Sequence, residues 1–230
     1  SCFEGAAQLK SIEINCSDMT LFGANNDQII PFNDKALNKI KTLTIQLINN
    51  NFKHEVINKF SSIEAIIIKS EQDLTIKRNT FDKFKSLKRV DINTTSTLYI
   101  EKDFDFNNSK INSIELNSAT INIGSNSFNK ARDLEVLSIN SNKIKIDEKC
   151  FNNLPNLQTI YLEGERLRVG DYCFQNCSKL ENLSMKNINY VFLGFEPFKG
   201  CNRLNSIDIN PSENILAKYF TIKNQIGTTK

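Results

Sequence analysis

The chain contains no tryptophan and a single histidine, His54. A Ser-His-Asp or Cys-His arrangement would depend on that one residue, which sits in an irregular stretch and reads as a surface or turn histidine. The eight glycines are scattered and never clustered, so no loop of the kind that cradles phosphate is present. None of the six cysteines forms a Cys-x-x-Cys pair, and Cys173-x-x-x-Cys177 lacks a second half for a tetrahedral zinc site. No apolar run approaches the roughly 18 residues that a bilayer crossing demands. Charge of one sign is scarce too: 29 basic residues stand against 26 acidic ones, for a net +3. That balance gives no electrostatic reason to expect nucleic acid or an anionic membrane. The residues therefore offer no constellation for catalysis, no cofactor and no membrane insertion.

What the chain does have is a repeat headed by phenylalanine. A Phe is followed six residues later by an apolar anchor, then by apolar residues three and five beyond the anchor. Phe81-Leu87-Val90-Ile92, Phe128-Leu134-Leu137-Ile139, Phe151-Leu157-Ile160-Leu162, Phe174-Leu180-Leu183-Met185 and Phe198-Leu204-Ile207-Ile209 keep the same offsets, and Phe3-Leu9-Ile12-Ile14 is an earlier copy. The anchors are Leu9, Ile40, Ile63, Leu87, Ile111, Leu134, Leu157, Leu180 and Leu204, spaced 31, 23, 24, 24, 23, 23, 23 and 24. A period of this length marks a solenoid, in which each coil buries its apolar face only against its neighbours.

A second apolar pair recurs before each Phe slot: Leu74/Ile76, Leu98/Ile100, Ile121/Ile123, Ile144/Ile146, Leu167/Val169 and Val191/Leu193. Alternation at period 2 predicts strands, so each coil holds two short strands and a Phe-to-anchor stretch of at most one or two helical turns. The Phe column predicts a spine of stacked rings. It is broken by Asp34, Ile57 and Asp105, the last flanked by Phe104 and Phe106, either of which could fill the gap. The expected organisation is nine repeats over residues 1–210, with a long loop at 17–36. Residues 211–230 are expected to form either a C-terminal cap or a degenerate repeat. The first residues, Ser1-Cys2-Phe3, already stand inside a repeat, which predicts a longer precursor or a removed leader.

The cysteines sort by slot. Cys2, Cys150 and Cys173 immediately precede the Phe; Cys177 and Cys201 follow it by three. Same-slot pairs one coil apart lie within disulfide reach, yet small buried residues suit these slots, which favours free thiols. Five Asn-x-Ser/Thr sequons occur, at Asn15, Asn93, Asn107, Asn176 and Asn182, a number that chance accounts for in so Asn-rich a chain.

Leu134-x-x-Leu137-x-Ile139-x-x-Asn142-x-Ile144 matches the spacing of leucine-rich repeats, and Gly170-Asp171-Tyr172-Cys173-Phe174-Gln175-Asn176-Cys177-Ser178-Lys179-Leu180 closely resembles the core of the BspA-type leucine-rich repeats. Ile123-Gly124 with Phe128, and Phe198-Lys199-Gly200-Cys201 with Leu204, are similar. The resemblance covers nearly the whole chain and is more specific in its later two-thirds. It implies a right-handed curved solenoid with a parallel sheet on its concave face and helical turns on the convex side. It also implies a non-enzymatic role at a cell surface or in a secreted protein, binding other proteins or cells. Most repeats replace the Asn of the leucine-rich pattern, so other residues must satisfy the backbone where the first strand ends.

On the expected concave face, outward positions stand two, four and six residues beyond each anchor. The set is mostly polar and flat, a poor small-molecule pocket but a plausible protein-docking platform. Its candidate binding residues are Ile67, Lys69, Arg89, Asp91 and Glu115, with Tyr161, Glu163 and Lys186 further along. Ile67 and Tyr161 stand out as large apolar groups at outward positions. Asn at five of the nine last outward positions suggests a side-chain ladder. The expected partner is a protein ligand, with adhesion or recognition at a surface as the role; the alternative is an intracellular scaffold in a larger assembly.

Overall fold

The structure, a computed structural model, describes residues 10–16, 39–48, 60, 62–82, 84–104, 106 and 110–209. Phe3, Leu9, the loop at 17–36, Asp34, His54, Ile57, Asp105, Cys2, the Asn107 sequon and the tail at 211–230 lie outside these residues.

The strands are β1 (Ser11–Cys16), β2 (Thr42–Leu47), β3 (Ala65–Ser70), β4 (Leu74–Ile76), β5 (Arg89–Thr94), β6 (Thr97–Ile100), β7 (Ser113–Ile123), β8 (Val136–Ile146), β9 (Thr159–Glu163), β10 (Arg166–Val169), β11 (Asn182–Lys186), β12 (Tyr190–Leu193) and β13 (Ser206–Ile209). Nine of them pair in the order β1-β2-β3-β5-β7-β8-β9-β11-β13, every pairing parallel. A second parallel wall runs β4, β6, residues 120–123 of β7, residues 143–146 of β8, β10 and β12. Parallel pairing at a coil's spacing makes the chain a repeat solenoid, with the inward-facing Leu, Ile and Val side chains of both walls gathered into one continuous core.

The Phe spine fills the side without a sheet. Phe128 stacks on Phe151 at 4.8 Å and 10°, Phe151 on Phe174 at 5.4 Å and 9°, and Phe174 on Phe198 at 5.4 Å and 5°. At the slot of Asp105 both neighbours go inward: Phe106 stacks on Phe81 at 5.5 Å, while Phe104 meets Phe128 edge-on at 5.2 Å.

Among the described residues this third wall holds tight turns and no helix, which differs from the helical turns expected there. The reason is left-handed backbone at the Phe slots, with a residue on either side of Phe151, Phe174 and Phe198 and with Phe128 itself at φ 63°. Two before the slot stand Asn79, Asp103, Asn126, Lys149, Tyr172 and Glu196, at φ between 43° and 61°. Two after it, Asn153, Asn176 and Gly200 have φ of 57°, 61° and 79°. Left-handed residues interrupt a helix and point successive amides away from their own coil. Here those amides bond the next coil: Lys149 N–H to Asp171 O, Phe151 N–H to Cys173 O and Asn153 N–H to Gln175 O, at 2.8–2.9 Å. Each turn is closed locally by three-residue bonds such as Leu180 N–H to Cys177 O at 3.0 Å.

The corner between the two sheet walls shows what replaces the Asn of the leucine-rich pattern. Seven residues beyond the anchor stand Ser70, Thr94, Ser118 and Ser141, whose hydroxyls reach backbone carbonyls: Thr94 Oγ1 to Gln72 O at 2.6 Å, Ser118 Oγ to Ser96 O at 2.6 Å, Ser141 Oγ to Lys143 O at 3.0 Å. Asn142 itself is exposed. At the same slot Gly164 passes so near Ser141 that a Cβ would sit 1.7 Å from its carbonyl oxygen, which only glycine avoids.

Candidate functional site

Strand alternation lifts every second side chain of the nine-strand wall off the core, and parallel register lines them up in rows. One row reads Ile67, Asp91, Glu115, Ser138, Tyr161, Ser184 and Asp208; the next reads Lys69, Asn93, Asn117, Asn140, Glu163 and Lys186. All eight residues singled out by the sequence thus share one face, but as two clusters. Ile67, Lys69, Arg89, Asp91 and Glu115 lie on β3, β5 and β7. Tyr161, Glu163 and Lys186 lie on β9 and β11, with β8 between the groups.

The first cluster is a polar network. The Arg89 guanidinium grips Asp91 with two bonds, Nε to Oδ1 and Nη2 to Oδ2, both 2.8 Å, and reaches Glu115 Oε2 at 3.5 Å. Asn117 Nδ2 donates to Glu115 Oε1 at 3.0 Å and to Asn93 Oδ1 at 2.8 Å. Asp91 is 6% exposed, and its hydrogen bonds and charge raise the Arg89 pKa above its usual value. This chain of bonds fixes five side chains in place, so the cluster presents a pre-set surface. The Asn93–Asn117 bond is one rung of the expected ladder. Ile67 is half-buried beside Asp91 rather than projecting freely.

In the second cluster Tyr161 is 48% exposed, with Ser138 and Ser184 as its row neighbours. Both row neighbours are small. Glu163 accepts a bond from Asn187 Nδ2 at 2.8 Å and stands next to Lys186 in register.

Two further groups matter for chemistry. Cys150, Cys173, Cys177 and Cys201 are free and buried. Cys177 Sγ bonds the Phe151 carbonyl at 3.2 Å, and Cys201 Sγ the Phe174 carbonyl at 3.1 Å, one coil on. Burial, then the nearby Cys150 thiol, pushes Cys173 well above the ordinary thiol value; the Cys201 thiol, then burial, does the same to Cys177. Such thiols are protonated and unreactive. Among the described residues no three His, Cys, Asp or Glu side chains gather where a metal could be held. No helix among them is long and apolar enough to cross a membrane.

The sequence reading passed over the outward face of the second wall, where Tyr99, Tyr190, Phe192 and the adjoining Phe195 are all exposed. The signal is Lys143-Ile144-Lys145, Arg166-Leu167-Arg168 and Tyr190-Val191-Phe192, in which residues of one chemistry flank the buried middle residue on the outward side.

The family model described as the BspA-type leucine-rich repeat region matches residues 99–226 in six copies, more than half of the chain. Among solved structures, a leucine-rich repeat protein from Bacteroides ovatus ATCC 8483 is similar at 14% identity, over 96% of this chain and 68% of that one, with a TM-score of 0.36. No curated protein matches.

Proposed function

The chain belongs to the BspA-type leucine-rich repeat family, and on that premise we propose that it is a non-enzymatic recognition module that binds a protein ligand at a cell surface or in the extracellular space. Leucine-rich repeats are generally protein-binding modules, and those of the BspA type are typical of surface and secreted proteins. The observation that carries the reading is Tyr161, an aromatic side chain 48% exposed on a rigid strand between two serines. Exposed aromatics on pre-set surfaces serve as binding hot spots, because their area comes with little side-chain entropy to lose. The Arg89–Asp91–Glu115 network supplies a polar patch two to three strands away, and Ile67, Lys69, Glu163 and Lys186 border the two centres. Mechanism here is display without turnover.

Tyr161→Ser should leave the circular dichroism spectrum and melting temperature unchanged while weakening capture of the protein that the wild-type chain retains. Ile67→Ser should weaken the same capture, with a small loss of stability because Ile67 is half-buried. Unaltered capture by both variants removes them from the site. The buried free thiols favour a second reading, an intracellular scaffold subunit, since such thiols persist in reducing compartments. Intact mass of the natively sourced protein, with and without deglycosylation and reduction, separates the two. Glycans or disulfides sustain the extracellular role, and a bare reduced chain moves the assignment to the scaffold.

A further inference from the structure

The outward face of the second wall carries two rows of the same kind, each a Lys, an Arg and an aromatic residue. Lys143, Arg166 and Tyr190 are register partners across β8, β10 and β12; Lys145, Arg168 and Phe192 are the next row but one along the same strands. Arg166 lies over the Tyr190 ring with its guanidinium carbon 5.1 Å from the centroid, and Arg168 over the Phe192 ring at 5.2 Å. Tyr190 and Phe192 are each 57% exposed. A shallow depression of about 420 Å³ follows these rows. Among the described residues only Lys145 of the four cations has a carboxylate, Asp147 at 3.1 Å.

Like charges on directly opposed strand positions destabilise a sheet. Four cations gathered on two adjacent strands therefore ask for an anion from outside. A guanidinium stacked on a ring is held in place with its in-plane N–H fork free to grip a carboxylate in two bonds. We propose that this face is a second docking surface, separate from the nine-strand wall, which takes an extended acidic segment of a protein partner. That segment carries carboxylates at alternate positions and an apolar side chain beside them.

The spacing supports this occupant. The two rows stand two residues apart along their strands, roughly 6.6 Å, the same distance that separates alternate side chains of any extended peptide. A segment lying along β10 thus presents one carboxylate to each row and an apolar residue to Tyr190 or Phe192. The extent of the patch argues in the same direction. Along the strands, Glu165 directly precedes the first row and Asp147 follows the second, so the run of cations is two rows deep. That matches a pair of carboxylates and repels a longer polyphosphate or polysulfate chain.

The test is fluorescence anisotropy on the purified chain with labelled synthetic peptides of one composition. In one, Glu alternates with Phe and Ser; in the other the same residues are grouped in blocks. Oligothymidylate and a sulfated oligosaccharide serve as competing polyanions. The alternating peptide should bind, weaken as salt is raised, and lose about tenfold or more in affinity on Arg166→Gln/Arg168→Gln. Tyr190→Ala/Phe192→Ala should weaken it as well, and Tyr161→Ser should not, which keeps this surface distinct from the nine-strand wall. Equal binding of the block peptide overturns the two-residue match. Tighter binding of either polyanion, or no peptide binding by a chain whose melting is intact, overturns the proposal itself.

Discussion

Removing one ring from the middle of the Phe spine gives the most direct measure of what holds the coils together. Phe151 is fully buried and stacks on both sides, 4.8 Å from Phe128 and 5.4 Å from Phe174. Phe151→Ala leaves a cavity between three coils and should cost about 3–5 kcal/mol. Two stacked contacts at about 0.5–1.5 kcal/mol each account for about 1–3 kcal/mol of that, the loss expected from Phe151→Leu, which keeps most of the volume. At about 2–4 °C per kcal/mol for a chain of this size, Phe151→Ala should melt about 6–20 °C lower than wild type. Phe192→Ala, on an exposed ring, is the control and should stay within about 0.5 kcal/mol. Urea unfolding followed by far-ultraviolet circular dichroism reads all three. Because each coil touches only its neighbours, the weakened interface should also divide the transition, with coils on either side of Phe151 unfolding at different midpoints. If Phe151→Ala costs no more than Phe192→Ala, the spine is not a source of stability; if Phe151→Leu is neutral, volume rather than stacking carries it.

Two pH effects follow. The hydrogen bonds and charges of Lys88 and Lys41, at 2.8 and 2.9 Å, lower the Glu64 pKa from 4.5 to about 2. Its stabilising contribution is present above 4.5 and lost as pH falls toward 2, so the urea midpoints of wild type and Glu64→Gln should converge over that window, and salt should narrow their difference. For the thiols the sign reverses. Cys173 and Cys177 have folded pKa values well above 9.0, so the unfolded chain ionises first and stability should fall as pH rises beyond about 9. A chromogenic disulfide reagent should react with the four buried thiols only after unfolding; rapid native reaction would show that this part of the core opens.

The solenoid was legible because its core is a one-dimensional stack, so the same spacing recurs in every coil and rises above local noise. The left-handed turns were less so. Asn79, Asn126, Asn153, Asn176 and Gly200 are residue types that accept that conformation, but Lys149 and Tyr172 hold it too, imposed by bonds to the next coil that no single coil encodes. At the candidate site, alternation placed the outward residues correctly, and the offset of one coil set Glu115 beside Arg89 and Asp91. Sequence spacing could not reveal that Ile67 is half-buried by its neighbours. Nor could it show that Arg166 and Arg168 meet Tyr190 and Phe192, since that depends on how the corner between the walls absorbs an unequal coil length.

That corner explains why some coils have 23 residues and others 24. From the second apolar pair to the next anchor each of the six coils that have that pair counts 13 residues, as from Leu74 to Leu87 or Ile121 to Leu134. From the anchor to that pair the count is 11 for Ile63–Leu74, Leu87–Leu98 and Leu180–Val191, but 10 for Ile111–Ile121, Leu134–Ile144 and Leu157–Leu167. The extra residue lies at the corner. Asn93 pairs with Asn117 and Thr97 with Thr120, leaving three residues against two between them. Lys186 pairs with Glu163 and Tyr190 with Arg166, with the same imbalance. An extra residue within a strand would turn every following side chain to the wrong face. Taken up at the corner, it leaves both walls in register, and the Lys-Arg-aromatic rows depend on this. Deleting Thr95 should therefore convert a 24-residue coil into a 23-residue one at the loss of two exposed hydrogen bonds, Thr95 N–H to Ser70 O and Thr95 Oγ1 to Glu71 O, about 2 kcal/mol together. Deleting Tyr99, four residues on, should turn Ile100 outward and cost the about 2–5 kcal/mol of a lost core side chain. Urea midpoints of the two deletions decide the matter: equal losses would mean that the corner is as fixed in length as the strands it joins.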